Sequence, residues 1–256
     1  MIQALLGFES ECHFLRHAKK NLTHLFPFIP LQPGYNKRLR AALPQIKAVI
    51  RMLGRDTDFW DDVVWIVDST PVPCGTSRPT VKRSEMAGWA NYGYCASHSR
   101  FFWGLRLYLV CTPAGLPVIW ALADPKIGER EVLESMIEND ADMIAERDGI
   151  LLISDKGFSG GKFEQSLSGA GITLLRPSRA DEAKRPGEPA LKKVRQLIES
   201  VNDTFKGQLD LEQHGGRTFG GTAVRVAQRV LALTAAIWRN FQAGQPVMRS
   251  LTAYDH

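Results

Sequence analysis

Cysteine is scarce in this sequence and long apolar runs are missing from it, and each shortage argues against a class of protein. The four cysteines, Cys12, Cys74, Cys95 and Cys111, stand apart with no CxxC pair, which speaks against a disulfide framework and a zinc ribbon, because both use closely spaced thiols. Cys74, Cys95 and His98 could be drawn as a metal cluster, but isolated thiols are the simpler reading, since zinc sites come in close-spaced pairs. No stretch approaches the roughly 18 apolar residues of a membrane span, and no charged-then-apolar signal opens the chain, so a cytoplasmic protein without a membrane partner is expected. Internal repeats and low-complexity tracts are also missing.

The chain has 256 residues, 44 % of them hydrophobic and 23 % charged, which is the balance of a globular protein with one sizeable core and a smaller attachment. Its net charge of +5 suits a polyanionic partner without requiring one. The first sixty or so residues read as helical. Pro27, Pro30 and Pro33 with Gly34 break the chain before a basic segment, Asn36 to Leu53, which Pro44 divides into two shorter helices. The basic residues Lys37, Arg38, Arg40, Lys47 and Arg51 there suit a phosphate backbone and equally a solvated helix face. Met1 enters directly on the apolar segment Ile2 to Leu6 with no polar cap, so the chain is expected to begin within an element.

From Val63 the pattern changes. The run Val63 to Val67 is β-branched and apolar and ends in Asp68, as expected of a strand buried on both faces. The stretch Pro71 to Arg100 reads as a loop in which Arg78, Lys82, Arg83 and Arg100 alternate with Trp89, Tyr92 and Tyr94, a mixture that can meet phosphates and stack on bases. Phe101 to Val110 and Leu116 to Leu122, joined by a Pro/Gly turn, predict a β-hairpin. Glu129 to Arg147 has helical apolar spacing. Ile150 to Ser154 then repeats the design of a buried strand ending in an acid, Asp155. After a short helix near Phe163 to Leu167 come a fifth strand, Ile172 to Arg176, and a polar loop, Ser178 to Pro189. A helix from Leu191 to Phe205 carries Glu199, and a long apolar helix spans Ala223 to Trp238. The sum is an α/β fold, a mixed five-stranded sheet flanked by helices at 61–256, with a small helical unit at 1–60.

Two aspartates at the ends of buried strands are costly unless paired or metal-bound. Either alone also serves as a turn cap, as in Asp68-Ser69-Thr70-Pro71, but the recurrence, with a helical glutamate after it, favours a carboxylate cluster. Three such acids from separate segments can hold two divalent ions about 3.5 to 4 Å apart, the arrangement that cleaves phosphodiesters. Arg195, Glu199 and Lys206 fall on one helical face at about one and two turns. That spacing suits cations on DNA phosphates beside the acid, and equally a surface Arg195–Glu199 pair.

At these residues the sequence resembles the DDE transposases of bacterial insertion sequences, which have an RNase H-like fold. Arg195, Glu199 and Lys206 match the Arg-Glu-Lys part of a signature found in several of those families, while Lys192 stands where some have a tyrosine. The phrases Trp65 to Cys74, Gly93 to Leu105, Ile153 to Phe158 and Ile198 to Gly216, with Tyr35-Asn36-Lys37-Arg38 before them, are similar to transposases of the insertion sequence 982 family. The resemblance implies catalytic, metal-holding Asp68, Asp155 and Glu199, two Mg²⁺ or Mn²⁺ ions, and DNA contacts by Arg195, Lys206, Lys82 and Arg83. It further implies metal-dependent cleavage and strand transfer at terminal inverted repeats, target DNA as second substrate, a homodimer in the DNA complex and a nucleoid-associated location. Relatives usually have further chain before this start, so residues 1–60 are expected to be a shortened DNA-binding unit, and a non-catalytic DNA-binding remnant is the alternative.

Overall fold

The computed structural model describes residues 1–95, 99–247 and 251; His98 of the imagined thiol cluster lies outside them, as does the side chain of Lys192. The apolar run after Val63 forms β1 (Val64–Gly75), with Trp65, Ile66 and Val67 buried. It pairs in parallel with β5 (Ile150–Ile153) and antiparallel with β3 (Arg100–Cys111). The outer edge of β3 carries two strands end to end. β2 (Asn91–Cys95) lies against Arg100 to Gly104, and β4 (Pro117–Ala123) against Arg106 to Cys111. On the other side β6 (Ile172–Leu175) pairs in parallel with β5. The result is the mixed sheet flanked by helices that the sequence predicts, with one strand more than expected.

Two local differences from expectation have physical causes. β1 does not stop at Asp68 but runs on through Pro71 and Pro73, losing donors there and bulging between Pro73 and Gly75. At that crossing Gly104 is required, because a Cβ there would stand 2.2 Å from the Val72 carbonyl oxygen. Second, the loop expected from Pro71 to Arg100 also contains a short helix, α5 (Arg78–Arg83), capped by the Ser77 side chain, and the strand β2.

Further helices complete the fold around the sheet. α6 (Glu129–Asn139) and α7 (Ala141–Ala145) divide the single helix expected over 129–147. α8 (Gly161–Gly169) packs on β6, and α9 (Glu188–Asp203) lies against β1 and β5 before a π-helical turn at Thr204–Gln208. The polar segment leading into α9 is held by Arg176, 1 % exposed, which donates to Glu164 at 2.9 Å and to both oxygens of Glu182 at 2.7 Å. α10 (Phe219–Gln242) starts at a Thr218 cap and is buried along most of its length. At the start of the chain, α1 (Ile2–Leu5), α2 (Glu11–Asn21), α3 (Gln32–Ala41) and α4 (Leu43–Arg55) appear, the last two split as Pro44 requires.

These first helices do not stand apart. Ile50 of α4 and Trp60 join the main core, while Phe14, Leu15 and Ala18 form a small second cluster with Phe8 and Tyr35. The seam is polar. Arg225 of α10 donates to Glu11 at 2.8 Å, and Asn36 and Gln32 of α3 donate to the same carboxylate. Arg229, one turn on, is buried and saturated by the carbonyls of Leu209, Asp210 and Arg225. Of the four cysteines, Cys12 is exposed, Cys74 half-buried, and Cys95 and Cys111 buried. Among the described residues no helix is long and apolar enough to cross a membrane.

Glu11→Ala leaves Arg225 charged and buried without its partner, and is expected to lower stability by about 3–5 kcal/mol, read from the shift of the urea midpoint. His214 gives a pH signature. It is buried, its Nε2–H donates to the Pro73 carbonyl at 2.9 Å and its Nδ1 accepts from Gly216 N–H at 3.0 Å, so the neutral ring is locked in place. Burial, then Arg229, lowers its pKa from 6.5 to about 4. The folded value lies below the unfolded one, so this stability is complete above pH 6.5 and is lost as pH falls toward 4. On the order of 3 kcal/mol is at stake. Urea titrations across that window should show the slope in the wild type and a shallower one in His214→Gln.

Candidate active site

Ile66 and Ile153 form the last ladder pair between β1 and β5, and Asp68 and Asp155 each lie two residues beyond it. Alternation along parallel strands therefore brings both acids level at the point where the two strands separate. Asp68 is held from two sides. Its Oδ1 accepts from the Ser69 N–H and its Oδ2 from Asn202 Nδ2, each at 2.8 Å. Burial foremost, with the charges of Asp155 and Glu129 adding to it, raises its pKa from 3.8 to about 6, against the pull of the Ser69 N–H and Arg195. Asp155 caps the 3-10 turn Lys156–Phe158, accepting from Gly157 N–H at 2.7 Å. Both are half-buried.

Glu199 is on α9 but apart from this pair. Its side chain is 57 % exposed and its Oε1 lies 4.0 Å from Arg195 Nη2, so the i,i+4 surface pair read from the spacing is the arrangement present. The residue of α9 that reaches Asp68 is Asn202, three positions further on. Lys206 falls on the π-helical turn, whose wider winding moves it off the regular two-turn spacing from Glu199. It borders a shallow basin with Arg100, Asp210 and Glu212. Lys82 and Arg83 are exposed in the last turn of α5, whose Thr80 faces Gly75 at the far end of β1. Gly75 lies seven positions along β1 from Asp68, so the contact of α5 with the strand is on the order of 20 Å from that acid.

Three side chains that the sequence did not single out belong to the site. Arg106 donates to Ser69 Oγ at 2.9 Å and to the Tyr94 carbonyl at 2.6 Å, and pairs with Glu129 Oε1 at 3.6 Å. Glu129, the first residue of α6, also accepts from Ser69 Oγ at 3.1 Å. Asn202, 5 % exposed, keeps its Oδ1 buried without a hydrogen-bond partner. Among the described residues no three His, Cys, Asp or Glu groups converge closely enough to be a ready metal-binding set. The donors nevertheless fit a hard divalent cation: two carboxylates on neighbouring strands, one of them strained toward protonation, and a spare buried amide oxygen beside it.

At the β2–β3 end of the sheet, Phe101, Tyr92 and Tyr94 are exposed, Phe101 at 77 %, and Tyr94 packs on Phe101. Of the aromatic and basic mixture read from the sequence, Tyr92, Tyr94 and Arg100 are carried by this strand pair, Arg78, Lys82 and Arg83 by α5, and Trp89 stacks on Phe219 of α10.

Among the solved structures that the chain resembles, two are distant in sequence. The catalytic core domain of BIV integrase shares 12 % identity over 66 % of this chain and 82 % of its own, with a TM-score of 0.33. The catalytic domain of Mos1 mariner transposase shares 11 % identity over 86 % of this chain and 97 % of its own, with a TM-score of 0.29. No curated protein matches the chain. A family described as "Transposase DDE domain" matches residues 61–218, which hold all of β1 to α9 and with them Asp68, Asp155 and Glu199. The chain belongs to this transposase DDE domain family.

Proposed function

We propose that this protein cleaves DNA at the ends of an insertion sequence of the 982 family and joins the freed 3′ ends to target DNA, using Asp68, Asp155 and Glu199. The observation that carries the reading is the level placement of Asp68 and Asp155 past the Ile66–Ile153 pair, with Asn202 fastening α9 to Asp68. Two divalent ions, Mg²⁺ or Mn²⁺, would supply activation of the attacking oxygen and neutralisation of charge on the phosphate. Asp68, Asp155 and Glu199 would hold them.

The chain's own groups prepare for this. The Ser69 N–H and Asn202 fix the direction of the Asp68 carboxylate, which is held close to its protonation point and gains by meeting a cation. Glu199 leaves Arg195 to join the other acids, which frees the Arg195 guanidinium for a DNA phosphate. An exposed ion pair of this length is weak enough to exchange. Lys206, Lys82 and Arg83 would contact the DNA backbone at increasing distance from the acids, setting position rather than sequence. Exposed Tyr94 and Phe101 would support unstacked bases. A homodimer on two inverted repeats, and association with the nucleoid, belong to the same reading.

Asp68→Asn, Asp155→Asn and Glu199→Gln should each lower Mn²⁺-dependent nicking of a duplex carrying the flanking inverted repeat by about a thousandfold, roughly 4 kcal/mol. Duplex binding in a gel-shift assay should stay within about twofold, since phosphate contacts elsewhere dominate it. Wild-type nicking retained in any one variant removes that residue from the site. Binding without nicking in the wild type would identify a remnant that holds DNA but no longer cuts it.

A further inference from the structure

We infer that Glu129 is a further metal-holding carboxylate of this site, sharing a divalent cation with Asp155 across a gap that Gly157 keeps open. The inference rests on the proposed metal-dependent reaction and adds a residue to it. Glu129 and Asp155 come from different elements, the first turn of α6 and the turn after β5. A Cβ on Gly157 would stand 2.9 Å from Asp155 Oδ1 and 2.9 Å from Glu129 Oε2, so these oxygens are at most twice that distance apart. Glu129 is aimed there by its other oxygen: Ser69 Oγ donates to Oε1 at 3.1 Å, and the Arg106 guanidinium lies 3.6 Å from it. Oε2 is left facing Asp155.

Two anionic oxygens held this close by independent anchors repel unless a cation or a proton comes between them. Two buried polar atoms elsewhere in the site lack a hydrogen-bond partner and so point independently to a ligand. Asn202 Oδ1 lies beside Asp68, and the Tyr108 hydroxyl belongs to the neighbour of Ser69 across the ladder. The Tyr108 phenol is a buried donor on the same face of the sheet as Ser69, which itself donates to Glu129. The local charge agrees. The charges acting on Asp68 are those of Asp155, Glu129 and Arg195, and Arg106 lies against Glu129, so three acids face two guanidinium groups, an excess that a divalent ion would offset.

The test is Mn²⁺ binding by the full chain without DNA, followed by calorimetry and by the electron-spin-resonance signal of free Mn²⁺, with melting temperatures taken alongside. Glu129→Gln should weaken binding about tenfold or more. Wild-type affinity in that variant, whether or not its melting temperature falls, assigns Glu129 a purely structural part as the partner of Arg106 and overturns the inference. Should the variant fail to fold, Gly157→Ala replaces it. Residue 157 has a backbone conformation open to any amino acid, so the added methyl keeps every carboxylate and obstructs only the gap. Weakening of about tenfold supports the inference, and wild-type affinity overturns it. Asp68→Asn separates the two readings. Binding lost there but kept in Glu129→Gln sinks only the role of Glu129, whereas a wild type that binds no Mn²⁺ overturns both.

Discussion

A carboxyl group set into the middle of a central strand, where water is largely excluded, is the constraint around which the rest is arranged. Asp68 is unfavourable for the fold taken alone, since burial resists its charge and two other acids add to that resistance. The strand cannot eject it, because β1 is fixed by a nine-pair ladder to β3 on one side and by β5 on the other. What tolerates it is a small set of neutral donors, the Ser69 N–H and the Asn202 amide. The sheet supplies rigidity, α9 supplies the amide, and the divergence of β1 from β5 supplies room beside the acid.

Much of this was legible from residue order. The runs Val63 to Val67 and Ile150 to Ser154 read as buried strands, and an acid at the end of each marked the two aspartates that stand just past the Ile66–Ile153 pair. The continuation of β1 was hidden by Pro71 and Pro73, which ordinarily mark the end of a ladder. The long antiparallel partner β3 carries the strand past them. β2 was hidden among residues with loop chemistry, because Asn91, Gly93 and flanking polar groups outweigh two tyrosines when no partner is in view. Its pairing with Arg100 to Gly104 is a tertiary fact.

The site was less legible than the fold. Glu129 at the first turn of a helix has an ordinary explanation in the helix dipole, so nothing in its sequence setting marks it as part of a cluster. Asn202 was within reach of spacing arguments, being one turn from Glu199 on the same side of α9. An amide attracts no notice beside an acid in a search for metal ligands, yet in the folded chain it is the amide that touches Asp68. Arg106 lies in an apolar strand as an isolated charge. Its meaning appears only when Ser69, Tyr94 and Glu129 arrive from three directions.

The two fastenings of α9 differ in kind. Its approach is secured by the ionic knot of Arg176 with Glu164 and Glu182, and its far half by one amide hydrogen bond to Asp68. Added salt acts on the first and leaves the second almost untouched, whereas a change at position 202 does the reverse. The helix bearing the third acid can therefore be retuned from either end while the strands bearing the first two stay as they are. That separation lets the helix drift while Asp68 and Asp155 keep their places.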